Sequence, residues 1–307
     1  MYDKVVVIGS LNYDVCLKLE RLPEEGETNF ADSVEYCSGG KGANQAVQAA
    51  KLDLEVYMAG CIGEDASGEF LKKTVEGYGV RTDYLKKVPG NSGMSVAQSL
   101  YDGGIRASVV RGANDCVTRA DIDALAPAID AGTVVVFQLE IPMDTILYAI
   151  DLCREKGAYI ILNGAPAAAL PEESLRKLDL FIVNEVEASF YGNCRIDSVE
   201  TATEQILKMS GRLGTDCIFT LGKAGSVVCR NMQTQMVPSR KVQAVESTGA
   251  GDSFIGGLCY GLVNEMDLFE ACRFATCCSA RTVCKTGGQP AMPTLDEVLE
   301  IYEGENG

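Results

Sequence analysis

Five short runs rich in valine, isoleucine and leucine, at residues 5–8, 134–137, 159–162, 180–183 and 217–221, constrain the fold of this chain most. None alternates apolar with polar residues, so each suits a strand covered on both faces. Stretches of helical length lie around them, at residues 42–51, 68–77, 143–156, 201–213 and 268–283. A strand followed by a crossover helix returns parallel to its predecessor. The pattern predicts a three-layer α/β/α sandwich around a central, mostly parallel sheet, with residues 1–307 forming a single α/β domain.

Two regions break this rhythm. Residues 15–19 and 28–36 alternate in the manner of strands with one solvated face, as do residues 94–101 and 107–111, which flank the turn signal Asp102-Gly103-Gly104. They predict a small β-sheet lid over residues 15–36 and 94–111. A small sheet needs a cover for its second face, supplied by substrate, by the main domain or by a second subunit. A homodimer through the lid is one expectation.

At 307 residues and 47% hydrophobic composition, the chain can bury a core that needs no disulfides. The thirteen cysteines form no Cys-x-x-Cys pair, which argues against both a zinc ribbon and a disulfide framework. Most read as small core residues, with Cys37 a candidate reactive thiol beside a glycine-rich segment. A net charge of −16 disfavours nucleic acid and anionic membrane surfaces, which are held by clustered Lys and Arg. No apolar run reaches the roughly 18 residues of a membrane span, and a cytoplasmic location is expected.

The chain contains no histidine. Every Ser-His-Asp or Cys-His mechanism and every His-ligated metal site is thereby excluded, leaving carboxylates, Lys, Tyr or Cys for proton transfer. Gly222-Lys223-Ala224 and Gly40-Lys41-Gly42 both fail the P-loop pattern, and Gly249-Ala250-Gly251 has Phe254 where a dinucleotide fingerprint needs its third glycine.

Gly249, Ala250 and Gly251 do open a helix with apolar positions at Phe254, Ile255, Leu258, Cys259, Leu262 and Val263. Unpaired amides at such a start suit an anion that gains charge during reaction. Asp252 follows at once, placed to accept a hydroxyl proton, although a simple capping Asp would look the same. Ser38-Gly39-Gly40-Lys41-Gly42-Ala43-Asn44 is a second glycine loop entering a helix, suited to hydroxyls or phosphate oxygens, or an ordinary turn. Asn12 and Asp14 follow the first strand, where open α/β sheets bind ligands. Asn184 and Glu187 offer oxygens to a hydrated magnesium ion, or cap a helix. Thr220-Leu221-Gly222-Lys223-Ala224-Gly225 ends another strand and could admit nucleotide phosphates.

In this order the segments resemble the ribokinase, or PfkB-type, family of carbohydrate kinases nearly end to end. The likeness lies in Gly9-Ser10-Leu11-Asn12-Tyr13-Asp14, in the glycine segment from Gly39 to Ala46, in Asn184-Glu185-Val186-Glu187 and in Thr248-Gly249-Ala250-Gly251-Asp252. Gln138-Leu139-Glu140, Asn163-Gly164-Ala165-Pro166 and Gly288-Gln289-Pro290 are similar to the branch that phosphorylates ribose. The resemblance implies Asn12, Asp14, Gly40, Lys41, Gly42, Asn44 and Glu140 around the sugar and Asp252 as catalytic base. It further implies an ATP site of Asn184, Thr220, Leu221, Gly222, Lys223, Gly225, Gly251 and Thr276, with water-mediated magnesium at Asn184 and Glu187. D-ribose is the expected acceptor; deoxyribose, another sugar, a sugar acid or a nucleoside is the alternative, and a non-catalytic sugar-binding protein is the rival class.

A potassium site in the family would draw on Glu246, Thr248, Thr282, Lys285 and Gly287. Two positions depart from its pattern. Glu246 stands where the family usually has Asp, and Ala291 where ribokinases often carry a Ser hydroxyl, so cation activation is an open alternative.

Overall fold

A computed structural model describes residues 1–101 and 105–303. The chain begins with β1 (Lys4–Ile8), leaves for β2 (Asn12–Leu19) and β3 (Ser33–Gly39), and returns through α1 (Lys41–Lys51) to β4 (Val56–Gly63). Helix α2 (Ala66–Gly77) leads to β5 (Arg81–Val88), and β6 (Gly93–Leu100) and β7 (Ile105–Val110) form a second excursion. Then come α3 (Arg119–Leu125), β8 (Thr133–Phe137), α4 (Met143–Lys156), β9 (Tyr159–Asn163), α5 (Glu172–Leu175) and β10 (Leu180–Asn184). Next are α6 (Glu185–Gly192), α7 (Val199–Leu213) and β11 (Asp216–Thr220). The hairpin β12 (Gly225–Arg230) and β13 (Gln233–Pro238) precedes α8 (Ala250–Val263), α9 (Leu268–Thr282) and α10 (Leu295–Glu303).

The large sheet runs in the order β13-β12-β11-β10-β9-β8-β1-β4-β5. From β5 to β11 every neighbouring pair is parallel, and β12 and β13 close the far edge antiparallel. Side chains of a strand alternate between faces, and the two cores divide accordingly. Val5, Val7, Val134 and Val136 point to the face covered by α1, α8 and α9, whereas Val6, Ile8, Val135 and Phe137 point to the face covered by α3, α4 and α7. This two-sided burial is why the runs lack polar alternation. Among the described residues no helix is long and apolar enough to cross a membrane.

All five expected strands are present, but β4, β5, β12 and β13 fall outside the apolar runs. Strand β4 is buried along its length yet carries glycine at 60 and 63; a Cβ on Gly60 would lie 2.6 Å from the Gly9 carbonyl, so the tight seat against β1 replaces the usual branched side chains. Strand β5 is an edge whose exposed positions are charged or polar.

The second sheet has the order β3-β2-β6-β7, with β2 and β6 parallel and both outer pairs antiparallel. Its bounds correct the sequence reading. Strand β2 starts at Asn12 rather than 15, and β3 at Ser33 rather than 28; Phe30 is 95% exposed and packs on nothing that would hold a strand there. The pairing extends the other way, to Asn12 opposite Gly39, which draws the glycine loop into the sheet. The turn at Asp102-Gly103-Gly104 lies outside the described residues; the flanking strands pair antiparallel, with Ser99 opposite Ile105.

Candidate active site

The loops that follow β1, β8, β9, β10 and β11 all leave at the carboxyl edge of the parallel strands, where such sheets bind ligands. Asn184 and Thr220 sit side by side there, paired at the ends of β10 and β11. Asp252 reaches the same edge from α8.

Why Asp252 arrives there follows from small residues. Gly249 caps α8 in the left-handed region (φ 78°), a conformation that favours glycine. Asp252 and Gly256 are four residues apart and share a helix face. A Cβ on Gly256 would lie 2.5 Å from Gln48 of α1, so its absence lets α1 and α8 approach closely. Ser253 then donates to Gln48 Oε1 (2.8 Å), and Thr282 of α9 donates to Ser253 Oγ (2.8 Å). With the helices held so, Asn44 Nδ2 donates to Asp252 Oδ2 and Gln45 Nε2 to Asp252 Oδ1, each at 2.9 Å.

The helix start offers donors. The Ala250 amide is engaged by the Ser247 carbonyl, and the first helical bond runs from Ser253 N–H to Gly249 O. That removes Ala250 from the anion hole and leaves the amides of Gly249, Gly251 and Asp252, which have no backbone acceptor among the described residues. Gly251 is exposed, and a side chain there would meet nothing within 4 Å. Burial pushes the pKa of Asp252 up, opposed by Lys41 and by the Asn44 and Gln45 amides, while Glu140 adds to the rise.

The glycine loop expected to hold the sugar faces it. Gly40 caps α1 with φ 87°, and Gly42 is buried against Ser10. Lys41 is half-buried; burial works against its charge, but Asp252, Glu140 and Glu187 together raise its pKa and keep it an ammonium. Glu140 accepts from the Ser10 hydroxyl and from the Lys41 amide (3.4 Å). On the small sheet, Asp14 Oδ1 accepts from Ser95 (2.6 Å), and a Cβ on Gly39 would sit 1.9 Å from Asp14 Oδ2, so this glycine makes room for the carboxylate. Asp14 is pushed up to about 6, by burial first, with the Ser95 hydroxyl opposing and Glu140 and Asp252 adding. Asn12 is buried, its oxygen accepting from Asn114 Nδ2 at 2.8 Å.

On the nucleotide side, Asn184 Oδ1 accepts from the amides of Val186 (2.9 Å) and Glu187 (3.0 Å), while Glu187 Oε2 accepts from the Asn184 amide (2.8 Å). This capping box fills both lone pairs of the Asn184 oxygen, and its NH2, which bears on the Glu187 carboxylate, is the group that can still donate. Asn184 therefore suits an acceptor on a ligand better than a cation, and Glu187 Oε1 is the oxygen left for a hydrated metal. Glu187 is buried, not a surface residue, and burial raises its pKa against its Asn184 and Lys41 contacts.

Thr220, Leu221, Gly222, Lys223 and Gly225 form the bend between β11 and β12, with the Leu221 amide on the Gly225 carbonyl (2.8 Å) and Gly222 and Lys223 exposed. Thr276 is buried on α9 with its hydroxyl on the Cys272 carbonyl (2.8 Å). Glu246 Oε2 accepts from the Gly287 amide (3.2 Å), which brings two of the expected cation residues together. The Thr282 hydroxyl lies between Ser253 and the Cys278 carbonyl, Thr248 is exposed, and the Lys285 ammonium pairs with Glu297. Cys37 is half-buried against Cys16 across β2 and β3.

Ser10, Gln45, Ser95 and Asn114 belong to the site although the motifs give them no role. Ser10 and Gln45 lie inside the family-like segments, and Ser95 and Asn114 each stand two residues after a glycine, in Gly93-Met94-Ser95 and Gly112-Ala113-Asn114, which is a weak local signal.

The sequence matches the family described as pfkB family carbohydrate kinase over residues 2–295. It is 34% identical over 297 residues to the ribokinase of Bacillus subtilis, covering 97% of this chain and 98% of that protein. It is 31% identical to the deoxyribokinase of Salmonella typhi, over 96% of this chain and 97% of that one. The solved structure of Arabidopsis thaliana ribokinase complexed with ribose and ATP superposes with a TM-score of 0.89 at 30% identity, over 99% of each chain.

Proposed function

This chain belongs to the pfkB family of carbohydrate kinases, and on that premise we propose that it transfers the γ-phosphoryl group of ATP to the primary hydroxyl of D-ribose, giving ribose 5-phosphate. The observation that carries the reading is the meeting of Asp252 with Lys41, Glu140 and Asp14 in one cleft, close enough for each to bear on another's ionisation.

Asp252 accepts the proton of the primary hydroxyl as its oxygen attacks the γ-phosphorus in line. The bond from that phosphorus to the bridging oxygen breaks, and ADP leaves with the electron pair. The amides of Gly249, Gly251 and Asp252 and the ammonium of Lys41 hold the phosphoryl oxygens. Asp14 accepts from sugar hydroxyls, aided by Asn12, Asn44 and the Gly40 and Gly42 loop; Glu140 fixes that loop through Ser10 and the Lys41 amide. ATP lies along Thr220, Leu221, Gly222, Lys223 and Gly225, with Asn184 donating to it and Thr276 beneath. Magnesium, when bound with ATP, neutralises phosphate charge, and Glu187 is the residue that would orient its water shell.

The potassium set is one side-chain oxygen short at Ala291, and Glu246 already serves the Gly287 amide, so no step is routed through that cation. Equal turnover in potassium and in a bulky organic cation would remove the site altogether. The lid face opposite Asp14 exposes Val34, Tyr36 and Val110 by 44–62%, which suits a homodimer; sedimentation would report it. A reducing cytoplasm suits thirteen free cysteines and a supply of ATP.

ADP release measured with a panel of acceptors tests the reaction. Release that depends on ribose supports it, and release independent of every sugar overturns it. The Salmonella relative favours 2-deoxyribose as a second acceptor. A carboxylate built to accept a hydroxyl discriminates against its absence, so kcat/KM is expected to favour ribose by about tenfold or more.

A further inference from the structure

We infer that Gln45, Gln138 and Gln289 are positioning residues of the transfer reaction, forming with Asn44 two amide arms that place one N–H donor on each oxygen of Asp252. The inference rests on Asp252 being the base. One arm runs from Gln138 Nε2 to Gln45 Oε1 (2.7 Å) and from Gln45 Nε2 to Asp252 Oδ1 (2.9 Å). The other runs from Gln289 Nε2 to Asn44 Oδ1 (3.0 Å) and from Asn44 Nδ2 to Asp252 Oδ2 (2.9 Å). They start from separate places, the end of β8 and the turn at Gln289–Ala291, and meet on α1.

Direction is what the arms supply. An amide can present either its oxygen or its NH2, and an oxygen turned toward Asp252 would set two acceptors against each other. An outer glutamine that donates onto the oxygen of the inner amide fixes the NH2 inward. Gln45, Gln138 and Gln289 are each no more than 1% exposed, so water cannot substitute for them.

A second observation separates this from ordinary core polarity. Gln138 Oε1 and Gln289 Oε1 are buried with no hydrogen-bond partner among the described residues. A buried acceptor left unpaired is unfavourable for folding, and an apolar residue of equal volume would avoid it. Space is even reserved for one of them, since a Cβ on Gly9 would lie 1.9 Å from Gln138 Oε1. Both outer glutamines are placed for the hydrogen bond they donate.

The charged groups around Asp252 are Lys41 on α1, Glu140 after β8 and Asp14 on β2. Burial and Glu140 disfavour the carboxylate, and the inner amides favour it. Removing an outer glutamine lets its inner amide turn, so Asp252 becomes harder to ionise and less well aimed.

Gln138→Met and Gln289→Met fill the space without a donor. Each is expected to lower kcat by about tenfold and to move the acid limb of the kcat profile up by roughly half a pH unit, with ribose affinity changed less than about threefold. Placed on Asp252→Asn, where there is no base to hold, either change is expected to cost less than about twofold more. A fall in kcat with an unmoved pH profile would reduce the arms to packing and overturn the inference, as would undiminished turnover in both variants. Should Gln138→Met not fold, by its melting curve, Gln289→Met and the same pH profile decide alone. Near-normal turnover in Asp252→Asn by itself would instead sink the base assignment beneath it.

Discussion

Asp14 and Asp252 are two half-buried carboxylates facing one cleft, both pushed up by burial, yet the regions that carry them are built differently. Asp252 stands where two helices meet through a glycine, with amides on both oxygens and a buried Thr282–Ser253–Gln48 relay behind. Asp14 stands on a four-stranded sheet with one hydroxyl on one oxygen and the other oxygen lying over Gly39. A proton acceptor must be aimed at a single atom, whereas a binder of hydroxyls needs open lone pairs. On the proposed assignment, the tight framework would serve the chemical step and the loose one recognition.

That contrast can be broken by substitution. Asp252→Asn should lower kcat by about a thousandfold or more, with ribose affinity within a few fold, as read by ADP release and by ligand titration. Asp14→Asn should do the reverse, raising KM for ribose by about ten- to a hundredfold with a smaller change in kcat. If both variants shift the same parameter, the division of labour is wrong.

Gly256→Ala tests the framework without touching the cleft. The added Cβ must push α1 from α8, so kcat should fall by about tenfold and the melting temperature should drop, consistent with about 1–3 kcal/mol of overpacking. Smallest is Ser95→Ala. Asp14 binds as a carboxylate and titrates at about 6, so KM for ribose should rise as pH falls below that value. Loss of the Ser95 hydroxyl moves the pKa higher still, and the rise in KM should begin at a higher pH in this variant while changing KM only a few fold at pH 8.

The same contrast runs through what the sequence discloses. Strands sealed on both faces announce themselves as Val/Ile runs, and the glycine loops mark where backbone must approach a ligand. Strand β5 stays hidden because an edge with charged outer positions lacks that signal, and β4 because Gly60 and Gly63 stand where branched residues would mark a strand. Asp252, Lys41 and Asp14 lie inside motifs and are legible. The glutamines also lie inside the family-like segments, but their role is not legible there, since each acts through a distant partner: Gln138 lies 93 positions from Gln45, and Gln289 lies 245 from Asn44. Nothing local separates such a residue from any buried glutamine. The capping role of the Asn184 oxygen is legible only as one of two readings, because the residues of a capping box and of a metal pair are the same.

The small sheet meets the large domain beside Asn12, Gly39 and Gly93, at one end of its strands. Regarded as a lever, β2 extends roughly 23 Å from that end to Leu19, whereas Asp14 is only about 7 Å out. A swing of about ten degrees would carry the tip some 4 Å and Asp14 about 1 Å, taking each as radius times angle on the strand rise. If the sheet acts as the proposed lid, such a swing would sweep water away at its rim while the carboxylate proposed to bind sugar barely left register, so that opening for exchange and holding for recognition would be separated by radius alone.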